Sequence, residues 1–201
     1  MKYLKNKLVG FAIATVLSLG GIVPMASATP GDDDVAAILA NGIDSGRSCL
    51  PKDESEEEAG WQLAVSAAGE ARNQGVLGMA LTVEIMINRL CSGDRRYGDG
   101  STMGMLTRPY AFSIYNADSK VRAELLLMAS GGAGVTRDIK AAAKMIYPIA
   151  RAALRGWRTG MLPKDNTKCV HYKTRDAKAS WAKADPVLSY RDHDFFCNVD
   201  G

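Results

Sequence analysis

Glu70, in the run Gly69-Glu70-Ala71-Arg72, stands where one apolar helical run ends and a second, almost wholly apolar, begins at Gln74 or Gly75. A carboxylic acid against an apolar wall has its ionised form disfavoured and can keep a proton near neutral pH. Such a group can protonate a leaving oxygen and later take a proton back, which is what a general acid–base catalyst must do. The competing reading is a helix-end carboxylate paired with Arg72 or Arg89, which would hold it ionised. Further along, Ser113, Tyr115, Asn116, His171, Tyr172 and His193 carry the hydroxyl, amide, imidazole and aromatic groups that hold sugars. Buried hydrogen bonding is the alternative role for the two histidines, and core packing accounts for Phe112, Phe195 and Phe196. Asp118 is the candidate for a second carboxylate, with helix capping as its alternative.

The elements that must position these groups are mostly helical. Glu56-Glu57-Glu58 opens a helix running to about Ala68, its acids favouring the helix dipole. Val76, Met79, Val83, Met86, Ile87 and Leu90 then fall at helical spacing, with Leu77, Leu81 and Ile85 on other faces. A helix apolar nearly all round is a buried one. Cys91 to Tyr110 reads as a polar, Gly-rich connection suited to a cleft wall. Asp118 is expected to cap a helix over 119–129, and 138–157 forms a long amphipathic helix kinked at Pro148. Cys169–Tyr172 and Phe195–Cys197 read as short strands. The fold class is therefore mainly α (α+β), with a small β element near the C-terminus.

The first 28 residues combine Lys2, Lys5 and Lys7, the apolar run Leu8–Val23 and the small-residue site Ala26-Ser27-Ala28. That is the pattern of a secretory signal peptide cleaved after Ala28, so the protein is expected in the periplasm, cell envelope or outside the cell. No other segment reads as long or apolar enough to cross a bilayer, so no stable membrane anchor is expected after cleavage. Removing the leader takes 25 basic against 22 acidic residues to 22 against 22. A balanced chain gives no electrostatic case for a nucleic-acid partner. Residues 29–58 read as an N-terminal leader with a short helix, and 59–201 as the functional domain. Four cysteines in an exported chain suggest two disulfides. Cys49–Cys91 and Cys169–Cys197 are favoured because each joins neighbouring segments.

Four blocks in order resemble the cell wall hydrolase family typified by the spore cortex-lytic enzyme SleB. They are Gly69-Glu70-Ala71-Arg72 with Gly75, Gly78-Met79 and Asn88-Arg89; Ala111-Phe112-Ser113 with Tyr115-Asn116 and Asp118; His171-Tyr172 with Trp181; and His193-Asp194-Phe195-Phe196. They span residues from about 61 to 197. The resemblance implies a compact helical fold related to lysozymes and lytic transglycosylases, acting on peptidoglycan glycan strands between N-acetylmuramic acid and N-acetylglucosamine. The family's catalytic glutamate falls on Glu70. Tyr115 stands where Trp is common, Lys173 where a second His is common, and Phe196 where Tyr is frequent. Relatives of this kind also occur as phage lysins. No cofactor or metal is expected, and the chain is expected to be a monomer.

Two rival functions fit some of the same residues. A metal-dependent peptidoglycan amidase or peptidase would use His171 and His193 with Asp192 or Asp194. A catalytic zinc site needs three protein ligands, and the chain has only two histidines. The other rival is a non-catalytic exported glycan-binding domain.

Overall fold

The computed structural model describes residues 32–133, 136–163 and 168–199. The signal peptide read at 1–28 lies outside them. In chain order the elements are α1 (Asp32–Asn41), β1 (Ile43–Asp44), α2 (Glu56–Ala71), α3 (Gly75–Ser92), α4 (Thr102–Leu106), α5 (Arg122–Ala129), α6 (Arg137–Leu154), β2 (Trp157–Arg158), β3 (His171–Thr174), β4 (Leu188–Tyr190) and β5 (His193–Phe196).

Helix α2 starts as its sequence demands. Ser55 caps it, accepting the Glu58 N–H at 3.1 Å, and three glutamates fill the first turn. Glu56 does more than offset the dipole. Its carboxylate meets Arg151 and Arg155, each at 2.6 Å, and so fastens α2 to α6. Between these ion pairs and the helix ends, Ala59, Ala64, Ala67 and Ala68 are fully buried. Small side chains at such a contact let the two helices approach closely. Helix α6 answers with Ile139, Ala143, Ile146, Ile149 and Ala150, and it runs through Pro148 to Leu154.

Helix α3 is buried along almost its whole length. Val76, Met79, Val83 and Met86 join the core shared with α2 and α6, while Leu81 and Ile85 pack against Leu162 and Phe195 beneath the sheet. It is the layer between the helices and the strands. By length and composition the stretch Glu56–Ser92 could cross a membrane, which corrects the expectation that only the leader does. Within its most apolar window, 72% is covered by the protein's own fold.

The C-terminal sheet is antiparallel in the order β3-β5-β4. Strand β3 begins at His171 rather than Cys169, and β5 ends at Phe196 rather than Cys197, because those cysteines are joined to each other outside the ladder. Strand β4 has three residues, too few for an alternating pattern to be read. Three further readings are corrected. The Cys91–Tyr110 connection contains α4, whose Met105 and Leu106 are buried. Helix α5 starts after Val121, so the exposed Asp118 does not cap it. The leader assigned to 29–58 is built into the domain from residue 32. Val35 enters the core, the Trp157 indole donates to the Leu39 carbonyl at 3.1 Å, and β1 pairs with β2.

Candidate active site

Glu70 lies half-buried in the last turn of α2. The chain then makes a single 3-10 turn, Arg72–Gln74, and reverses into α3 at Gly75. Gly75 has φ 73° and ψ −176°, a region open essentially to glycine alone. This corner turns Glu70 toward the loop before α5. A Cβ on Gly69 would lie 2.8 Å from Ile114 Cδ1, so the bare glycine lets that loop close on the helix end. Glu70 Oε1 accepts the Ile114 N–H at 3.0 Å and the Ser113 hydroxyl at 3.0 Å; the same hydroxyl lies 3.2 Å from Oε2. A backbone N–H can only donate, so Oε1 stays an acceptor and Oε2 is the oxygen able to carry a proton.

The two arginines that could have neutralised this carboxylate are engaged elsewhere. Arg72 donates to the Gly69 carbonyl at 3.2 Å. Arg89, buried, donates from Nε to Val170 O at 2.6 Å and from Nη1 to Ala111 O at 2.9 Å. Its guanidinium also lies over the Phe112 ring at 4.6 Å. Arg89 remains within electrostatic reach of Glu70 but makes no ion pair with it. It holds the loop before Ser113 and the start of β3 on either side of the carboxylate.

The sheet register sorts the remaining candidates. Tyr172 pairs with Phe195 and Thr174 with His193, whereas His171 pairs with Phe196 and Lys173 with Asp194. Alternate residues of a strand point to opposite faces. Tyr172, His193 and Phe195 therefore share one face, with ring centroids 5.2 Å apart for Tyr172–His193 and 6.1 Å for Tyr172–Phe195. This is the face turned to Glu70. Burial, reinforced by the Glu70 charge and a hydrogen bond to it, pushes the Tyr172 phenol well above its ordinary range. Tyr172 thus keeps its phenolic proton beside the carboxylate. Burial also lowers the His193 imidazole, against the opposing pull of Glu70, Asp192 and Asp194. Among the described residues its buried Nδ1 has no hydrogen-bond partner.

No protein-family model, curated protein or solved structure matches this chain. The site rests on its own geometry.

His171 lies on the other face of the sheet, stacked on Trp181 with centroids 4.8 Å apart. Burial, with Arg89 and Arg96 nearby, lowers its imidazole to about 4. The two histidines therefore do not converge. Asp194 is occupied by the Ser189 hydroxyl at 2.7 Å and by Lys173 at 3.7 Å. Among the described residues no group of three or more His, Cys, Asp or Glu side chains is placed to hold a metal ion.

Of the sequence-predicted contacts, Ser113, Tyr172 and His193 surround Glu70. Tyr115 is corrected: it is 4% exposed, bonded through its hydroxyl to Ser66 Oγ at 2.8 Å, and burial raises its phenol to about 12. It braces α2 from within rather than lining a cleft. Asn116 supports the loop instead, its Oδ1 accepting the Tyr110 N–H at 3.2 Å.

Sequence reading missed the clamp that sets the β4–β5 turn on the corner after Glu70. Buried Gln74 accepts the Asp192 N–H at 3.0 Å and donates to its carboxylate at 3.4 Å, while Arg191 donates to Asn73 O at 3.3 Å. A polar Gln at the head of an apolar helix was the available signal.

Proposed function

We propose that this chain is an exported enzyme that cuts the glycan strands of peptidoglycan between N-acetylmuramic acid and N-acetylglucosamine, with Glu70 as general acid and then general base. The observation that carries the reading is the half-buried Glu70 carboxylate, anchored at Oε1 by the Ile114 N–H and the Ser113 hydroxyl and, among the described residues, in no ion pair. Two disulfides are compatible with an oxidising, extracytoplasmic setting.

In this mechanism Oε2 gives its proton to the glycosidic oxygen as the C–O bond breaks and positive charge develops on the sugar. Among the described residues, the groups bonded to Glu70 or in electrostatic reach of it are Ser113, Ile114, Tyr115, Tyr172, His193 and Arg89, none of them a carboxylate, while Asp192 and Asp194 act on His193. That shell favours the one-acid route. The muramic acid 6-hydroxyl attacks C1, its proton passes to Glu70, and a 1,6-anhydro end results. A water in place of that hydroxyl would leave a reducing end and would call for a second carboxylate.

The test uses the chain from Thr29 on purified sacculi, with mass spectrometry of the soluble fragments. Glu70→Gln keeps the shape and loses the proton, so release should fall by at least about a hundredfold while circular dichroism stays unchanged. Anhydro-muramic ends from wild type alone support the one-acid route, and Glu70-dependent reducing ends support a muramidase. Free peptides with intact glycan, or equal release by the variant, refute the proposal.

A further inference from the structure

A groove of about 260 Å³ opens beside the Glu70 loop, lined by Arg96, Tyr97, Arg108, Tyr110, His171 and Trp181 among others. It is joined to the catalytic corner through short pieces of chain. Ala111 lines it two residues before Ser113, and His171 lines it next to Tyr172. Its volume falls below the ~300–1,000 Å³ of clefts for drug-sized ligands. It therefore suits one ring with its substituent rather than a length of strand.

Three features give the groove a chemistry. Tyr110 is 90% exposed and has φ 63°. A bulky residue held in the left-handed region is an outlier that its surroundings must enforce, and Asn116 Oδ1 does so by taking its N–H. The effect is to hold an aromatic face out in solvent at the mouth. Secondly, three arginines and no acid line the groove. The chain after its leader carries equal numbers of acids and bases, so this is a local positive field in a balanced molecule. Thirdly, the arginines differ in what holds them. Arg89 is bound to two carbonyls and Arg96 pairs with Asp94 at 2.8 Å. Among the described residues no carboxylate lies within ion-pair distance of Arg108.

Resting on the glycan-cleaving reading above, we propose that this groove binds the carboxylate-bearing muramoyl unit of the substrate, with Tyr110 against the sugar ring and Arg108 on the carboxylate. The carboxylate comes either from the lactyl group of a peptide-free strand or from the stem peptide. A planar guanidinium suits a carboxylate in both cases. Neutral N-acetylglucosamine polymers lack the group and are discriminated against.

The test is isothermal titration calorimetry on the chain from Thr29, at low and moderate salt. The probes are N,N′-diacetylchitobiose, the N-acetylglucosaminyl-N-acetylmuramic acid disaccharide and the same disaccharide carrying its stem peptide. Both anionic probes should bind at least about tenfold more tightly than chitobiose, and Arg108→Gln should remove that advantage. Tyr110→Asn, which tolerates the left-handed backbone, should weaken all three. The tighter of the two anionic probes identifies the source of the carboxylate. Both side chains are exposed, and melting curves establish that the variants fold. Equal affinity for neutral and anionic probes, or an Arg108→Gln profile like wild type, overturns the proposal. Binding is read without cleavage. Sacculus cleavage without anion preference therefore sinks this inference alone, and anion preference without cleavage sinks the catalytic reading alone.

Discussion

At the scale of single residues, the site is a question of what holds one carboxylate. Ser113 is exposed, touches both oxygens of Glu70 and has no part in the core. Its hydroxyl can turn from donor to acceptor, so it can follow the carboxyl through both protonation states. The Ile114 N–H cannot, and it fixes position only. Ser113→Ala should therefore leave folding intact and slow glycan cleavage by about tenfold to a hundredfold, from loss of a hydrogen bond to a charged group of about 1.5–3 kcal/mol. Rates of sacculus clearance beside melting curves check this. A slow variant that also melts early would mean that Ser113 holds the loop rather than the carboxylate. The residues legible in sequence were those whose chemistry is local. Glu70 between two apolar runs stood out, and its partner Ser113 was within reach of the same reading. Tyr115 was misplaced because its type suits a sugar as well as it suits Ser66 Oγ.

At the scale of elements, the corner between α2 and α3 carries the geometry. Periodicity made both helices legible, and α3 over Val76–Arg89 is mostly buried and apolar apart from Thr82, Glu84, Asn88 and Arg89. What periodicity could not show was long-range pairing. The Gln74–Asp192 clamp joins residues 118 apart, and the register that sends His171 and His193 to opposite faces depends on which strand pairs with which. Gly75 is where local and long-range demands meet. Its backbone is open essentially to glycine alone, and a Cβ there would come within 3.2 Å of the Arg191 guanidinium on the clamping turn. Gly75→Ala should cost about 1–3 kcal/mol of stability and should also lower activity, since it moves the clamp that brings His193 to Glu70. Denaturant unfolding with parallel cleavage assays tests both. A variant as stable as wild type would show that the corner has another accessible conformation.

At the scale of the whole molecule, two disulfides tie irregular stretches of chain to the helices and to each other. Cys49–Cys91 ties the irregular stretch after β1 to the last turn of α3. Cys169–Cys197 joins the residue entering the sheet region to the one leaving it, and Asn88 Nδ2 anchors the same corner by donating to Cys169 O at 3.0 Å. With sequence separations of 42 and 28, chain-entropy arithmetic gives about 4 and about 3.5 kcal/mol. A domain of this size is stable by only about 5–15 kcal/mol, so the pair accounts for a large part of the total. The two bridges should also differ in kind. Losing Cys49–Cys91 removes a tether remote from Glu70, so the double Cys→Ser variant should melt about 10 °C lower yet cut sacculi at wild-type rates when cold. Losing Cys169–Cys197 frees the strands that carry Tyr172 and His193, leaving the Asn88 and Arg89 bonds and the packing of Leu81 and Ile85 against Phe195 to hold the sheet on α3. That variant should lose cleavage at temperatures where it is still folded. Calorimetry and cleavage rates on the two variants, with the fully reduced chain beside them, separate these outcomes. Equal losses of activity at equal loss of stability would show that both bridges act only on the unfolded chain and that the sheet needs no covalent help to reach Glu70.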